Sequence, residues 1–164
     1  MKKLITILFL VFCLVFVYGQ DVPQAMVKDL SGKNVSSKNL IKNDGNPVLV
    51  SFWATWCKPC IQELTAFNEE YPDWQDEFGL KIIAISTDNA RSTNRVAPFV
   101  SGQGWEFDIY LDANNDFKRA MNVSNVPHTF LLDGNGNIVW QHTSYLPGDE
   151  QKVFQELKKL KKNK

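Results

Sequence analysis

The chain lacks most of the features that announce a function early. It has only three cysteines and two histidines in 164 residues, and no excess of charge, with 18 basic against 18 acidic side chains. That balance argues against a nucleic-acid surface, which needs a clustered basic excess. Three cysteines are too few for the disulfide framework that staples small exported domains. There is no internal repeat, no low-complexity region and no linker long enough to divide the chain into separate domains. No apolar run reaches the roughly 20 residues of a membrane-spanning helix; the longest, Leu4 to Tyr18, is about 15.

What that run does have is the layout of a secretory signal. Met1-Lys2-Lys3 is basic, the stretch to Tyr18 is almost wholly apolar, and Gly19-Gln20-Asp21 turns abruptly polar. The expectation is a signal peptide over residues 1–19, cut near Gly19, and one domain over 20–164; retention as a membrane anchor is the alternative. Phe12 is too large to precede a lipidated cysteine, so Cys13 leaves with the signal and only Cys57 and Cys60 remain. The remaining roughly 145 residues are enough to bury a core without staples. The basic tail from Lys158 to Lys164 complements a helix C-terminus, with contact to anionic lipid as the lesser reading.

The two remaining cysteines stand in Phe52-Trp53-Ala54-Thr55-Trp56-Cys57-Lys58-Pro59-Cys60, directly after the apolar run Val48 to Trp53. A strand followed by a helix puts both sulfurs at a helix N-terminus. Free N–H groups and the helix dipole there stabilise a thiolate. A thiolate is the species that attacks a disulfide, so this spacing points to thiol–disulfide exchange. The loop between the cysteines is too short to constrain an unfolded chain much, which disfavours a purely structural bridge.

Around this motif the pattern predicts a small N-terminal hairpin over 24–39, a turn at 43–47 and a doubly buried strand over 48–53. Cys60, Leu64, Phe67, Tyr71, Trp74 and Phe78 fall within about 40° of one line at helical period. That predicts a helix over 57–78 which Pro72 should kink or break near Tyr71. Strands follow at 80–86 and 107–111 and helices at 91–100 and 115–121, with Pro98 inside the first. Strands 129–132 and 138–142 join through Asp133-Gly134-Asn135-Gly136-Asn137, a hairpin signal, and a helix closes the chain over 148–161. This order argues a three-layer α/β domain with a mixed central sheet flanked by helices.

These residues resemble the thioredoxin superfamily, and most of all its exported TlpA/ResA-type thiol–disulfide oxidoreductases. The likeness spans roughly residues 24–161. It rests on the Phe52–Cys60 block, on Glu63 three residues past the second cysteine, on Val126-Pro127 before a strand, and on the hairpin and helix after it. The spacing of 67 from Cys60 to Pro127 leaves room for the strand-helix insertion of this branch. Two positions depart from the wider pattern. Ser51 stands where plain thioredoxins carry a buried acid, and Thr65 where a proline is usual.

Position makes Cys57 the attacking thiol and Cys60 the resolving one. Glu63 is the candidate to take the Cys60 proton; the competing reading is an ordinary glutamate near a helix N-terminus. The resemblance implies a cis peptide at Pro127 that offers the Val126 backbone to an extended substrate, with Trp56, Lys58 and Pro59 beside it. His128 next to that loop reads as structural, or else as a group that tunes the thiolate. No resident cofactor or metal is expected beyond the Cys57–Cys60 disulfide. The partners implied are protein disulfides or dithiols and a membrane-borne electron donor, for a monomer working in the periplasm or another extracytoplasmic space. A reductase, with cytochrome c maturation as a candidate duty, is the leading reading. A thiol oxidase, or a copper chaperone using Cys57, Cys60 and His128, stands as the alternative.

Overall fold

The computed structural model describes residues 21–162. The expected signal peptide, its cleavage point and Cys13 lie outside the described residues. The described chain runs β1 (Met26–Asp29), β2 (Asn34–Ser36), α1 (Ser37–Leu40), β3 (Val48–Trp53), α2 (Lys58–Phe78) and β4 (Lys81–Ser86). It continues through a 3₁₀ turn (Thr93–Arg95), α3 (Val96–Gln103), β5 (Asp108–Leu111), α4 (Asp116–Ala120), β6 (His128–Leu132), β7 (Ile138–Thr143) and α5 (Glu150–Lys162).

The seven strands form one sheet in the order β2-β1-β5-β4-β3-β6-β7. β3, β4 and β5 run parallel, joined by helical crossovers. β6 pairs antiparallel with β3, and β7 with β6. The expected N-terminal hairpin forms and adds to the other edge through β1 and β5. This is the mixed α/β sheet the sequence predicts.

All six residues of β3 are buried, as a strand covered on both faces must be. Its period of two divides them between two cores. Leu49 and Trp53 face the α2 side and join Leu64, Phe67, Trp74, Leu131 and Leu157. Val48, Val50 and Phe52 face the other side and join Ile83, Ile85, Phe117 and Leu132. Ser51 shares the face of Leu49 and Trp53 by the same alternation. A hydroxyl therefore points from the middle of the central strand toward α2.

Pro72 does not break α2, which runs 21 residues and ends at Gly79 in a left-handed C-cap with φ 65°. Pro72 is exposed, so its ring and the backbone gap it leaves lie on the solvent side. An interior proline costs about 3 kcal/mol. Burial of Tyr71, Trp74 and Phe78 on the opposite face, at about 1.5–3 kcal/mol for a large apolar side chain, outweighs that cost. Pro98 falls in the first turn of α3, where its missing N–H has no intrahelical partner to lose. The helix predicted over 91–100 accordingly starts later, as a 3₁₀ turn leading into α3.

Candidate active site

The active-site turn lies where β3 ends. The Cys57 N–H donates to the Ala54 carbonyl at 3.0 Å, closing the turn between strand and helix. Cys57 is the N-cap of α2, and its sulfur accepts the Cys60 N–H at 3.3 Å. Pro59, one residue into the helix, has no N–H to lose there. Cys57 and Cys60 are joined in a disulfide with their Cα atoms 5.3 Å apart. Cys57 is 5% exposed and Cys60 not at all, so the first cysteine is the one that meets solvent. Trp56 beside it is 71% exposed, an unusual position for a large aromatic side chain. Lys58 is exposed and Pro59 half-buried.

Glu63 is buried, with 1% of its surface exposed. It stands beyond the first turn of α2, which contains no acid, so dipole stabilisation near the helix N-terminus does not account for it. Its Oε2 accepts the Ser51 hydroxyl at 2.9 Å, and Thr129 Oγ1 lies 3.0 Å from both Oε2 and Ser51 Oγ. Ser51 and Thr129 are direct partners across β3 and β6. Burial pushes the Glu63 carboxyl up to about 7, against the pull of the two hydroxyls, which favour its charged form. The missing acid at position 51 is thus offset by one delivered from the facing helix to the same spot.

The Val126–Pro127 peptide is cis, as the resemblance implies. It leads into β6, whose first residue, His128, pairs with Phe52, and its Pro127 carbonyl accepts the Ser144 N–H at 3.0 Å. His128 stacks on Phe130 with ring centroids 4.3 Å apart, and its Nε2 lies 3.1 Å from Gln141 Oε1. Burial holds its pKa below the ordinary histidine value. Among the described residues, no three His, Cys, Asp or Glu side chains gather as a metal-binding group.

Asp88 escapes the sequence reading. It follows β4, is fully buried, and grips the active-site turn from the β4 side. Its Oδ2 accepts the Thr55 N–H at 2.9 Å and the Ser86 hydroxyl at 2.9 Å, and its Oδ1 accepts the Thr55 hydroxyl at 2.6 Å. The signal that could have found it is the run Ser86-Thr87-Asp88 ending a buried parallel strand, since sites in open α/β sheets form at the carboxyl ends of strands.

A mixed sheet of this order, a disulfide capping the first long helix and a cis-proline before the facing strand together define a thioredoxin-like dithiol–disulfide protein. The chain belongs to the AhpC/TSA family, whose model matches residues 18–141. Within it the chain is a thiol–disulfide oxidoreductase of ResA type. It is 35% identical to the thiol-disulfide oxidoreductase ResA of Bacillus anthracis over 123 residues, covering 75% of this chain and 68% of that one. Among solved structures, a thioredoxin-like protein from Porphyromonas gingivalis is 46% identical with a TM-score of 0.75, covering 85% of this chain and 90% of that one. StoA from Bacillus subtilis, 23% identical with a TM-score of 0.62 over 82% of this chain and 97% of that one, shares the fold.

Proposed function

We propose that the protein is an exported protein-disulfide reductase that works without a bound cofactor. The observation that carries this reading is Glu63, an acid buried one turn after the resolving cysteine and poised near neutral pH. In the cycle the Cys57 thiolate attacks a substrate disulfide, forms a mixed disulfide and releases one substrate thiolate. Cys60 then gives its proton to Glu63 and its thiolate attacks the Cys57 sulfur. The second substrate thiolate leaves, and the Cys57–Cys60 disulfide of the present structure results. Two electrons pass to the substrate, and an external dithiol reductant, borne by the membrane, must return them.

Trp56, Lys58 and Pro59 flank the attacking sulfur and supply the docking surface. The backbone at Val126 and Pro127 pairs with an extended substrate segment as an added strand. The basic and apolar pattern of residues 1–19 supports export, and kinship with ResA-type proteins supports reduction of exported thiol proteins, apocytochromes c among them.

The test is the reduction potential of the Cys57–Cys60 pair, read by equilibration in glutathione buffers. A value at or below about −220 mV is expected for a reductase, whereas a value near about −120 mV would make the protein an oxidant and reverse the proposed direction.

A further inference from the structure

The reducing cycle gives no role to Asp88, yet this carboxylate holds the active-site turn more directly than Glu63 does. It takes both the N–H and the hydroxyl of Thr55, and Ser86 supplies a third donor. Its own N–H donates to Ser86 Oγ at 3.2 Å, which locks the pair. The neighbouring Thr87 adds two contacts to the Trp53 carbonyl, from its N–H at 2.8 Å and its hydroxyl at 3.0 Å. Residues 86–88 therefore clamp residues 53–55, and the clamped segment feeds directly into the turn that ends at Cys57.

We propose that Asp88 is a positioning residue that sets the redox balance of the Cys57–Cys60 pair by fixing the turn at Thr55. The inference rests on the thiol–disulfide reading of the site. Two effects act in the same direction. The clamp holds Cys57 where its sulfur meets that of Cys60, which favours the disulfide over two free thiols. The carboxylate is also held on the active-site turn itself, bonded to Thr55 two residues before Cys57. A like charge on the same turn disfavours the Cys57 thiolate, and with it the reduced form. Both effects stabilise the disulfide and lower the potential, which suits a donor of electrons.

The substitution Asp88→Asn keeps the shape but removes the charge and turns an amide N–H₂ toward the Thr55 donors. It is expected to shift the glutathione equilibrium toward the dithiol about tenfold, or about 30 mV for a two-electron couple. It should also lower the pKa of the Cys57 thiol, read from the pH dependence of alkylation. Thr55→Val keeps the N–H contact and the charge and loses only the hydroxyl. It should move the equilibrium about threefold in the same direction, as the loss of one hydrogen bond does, and leave the alkylation profile in place. Thr55→Ser should restore the wild-type balance.

An Asp88→Asn protein that melts earlier but keeps its equilibrium within about twofold would reduce Asp88 to a structural residue. If that variant does not fold, the Thr55→Val and Thr55→Ser pair decides, and an unchanged equilibrium in Thr55→Val overturns the proposal. The absolute wild-type potential judges the reductase reading, whereas the differences between variants judge Asp88. A wild-type protein that does not exchange with glutathione at all would sink both.

Discussion

On the β6 side of the central strand, Glu63 meets two hydroxyls; on the β4 side, Asp88 meets two hydroxyls and a backbone N–H. Both acids are buried within reach of the active-site segment, but the donors differ in what they permit. A hydroxyl can rotate and either give or accept a hydrogen bond, so the Ser51–Thr129 pair can serve Glu63 with or without its proton. A backbone N–H can only donate, so Thr55 requires an acceptor at Asp88. Glu63 thus sits among donors that can adapt, and Asp88 holds a donor that cannot. Under the two proposals, the same residue class supplies a reactive group on one side of β3 and a fastening on the other.

The largest expected effect that tests this division is kinetic. Glu63→Gln keeps the size and a hydrogen-bonding oxygen but cannot take a proton. The resolving step, in which Cys60 displaces a substrate thiolate from Cys57, should slow about 100-fold at pH 7, within the range for loss of a positioned base. The first attack by Cys57 should be nearly unchanged. Stopped-flow measurement of a chromophoric mixed disulfide separates the two steps. In wild type the resolving rate should climb through a midpoint near 7. Equal slowing of both steps would mean that Glu63 shapes the site rather than moving a proton.

A second effect of the same order appears in stability. Below an ordinary value of 4.5, Glu63 is protonated in folded and unfolded chains alike; between 4.5 and about 7 only the folded chain keeps the proton. Stability contributed by this group is therefore complete at low pH and is lost as pH rises through about 7, a total of about 3 kcal/mol. His128, whose pKa burial lowers, tilts the curve the opposite way. The difference between wild type and Glu63→Gln isolates the glutamate. Urea unfolding of the oxidised proteins from pH 4 to 8 should show the variant overtaking wild type at the alkaline end. Parallel curves would remove the case for a strained buried acid.

Much of this arrangement is legible in local sequence, and the rest is hidden for a physical reason. The apolar run 48–53, the helical stripe from Cys60 to Phe78 and the Asp133–Asn137 turn each announce their element, because burial on one or two faces leaves a period in the chain. Pro72 misleads because its rule counts a lost hydrogen bond and not the four buried aromatic residues on the other face of the same helix. Ser51 reads as a defect when taken alone. Its meaning depends on Thr129, 78 residues away, and on Glu63 from the facing helix. Asp88 is silent for the same reason, since its partner Thr55 lies 33 residues earlier and only the parallel pairing of β3 with β4 brings them together.

The smallest effect tests the hydroxyl pair itself. Ser51→Ala removes one of the two donors that stabilise the charged form of Glu63 while leaving its burial intact. A hydrogen bond of this kind contributes about 1 kcal/mol. The Glu63 midpoint should therefore rise from about 7 by less than roughly one pH unit, seen as an alkaline displacement of the resolving-rate profile. Thr129→Val should act in the same sense, because its hydroxyl reaches the same carboxyl oxygen. The double variant should move the midpoint by less than the sum of the two, since Ser51 and Thr129 also contact each other and are not independent. Neither change should alter the balance set on the Asp88 side, because Thr55 and Ser86 keep their contacts. A Ser51→Ala profile displaced toward acid would mean that the hydroxyls favour the protonated form of Glu63, and the division between a switching acid and a fixed one would have to be redrawn.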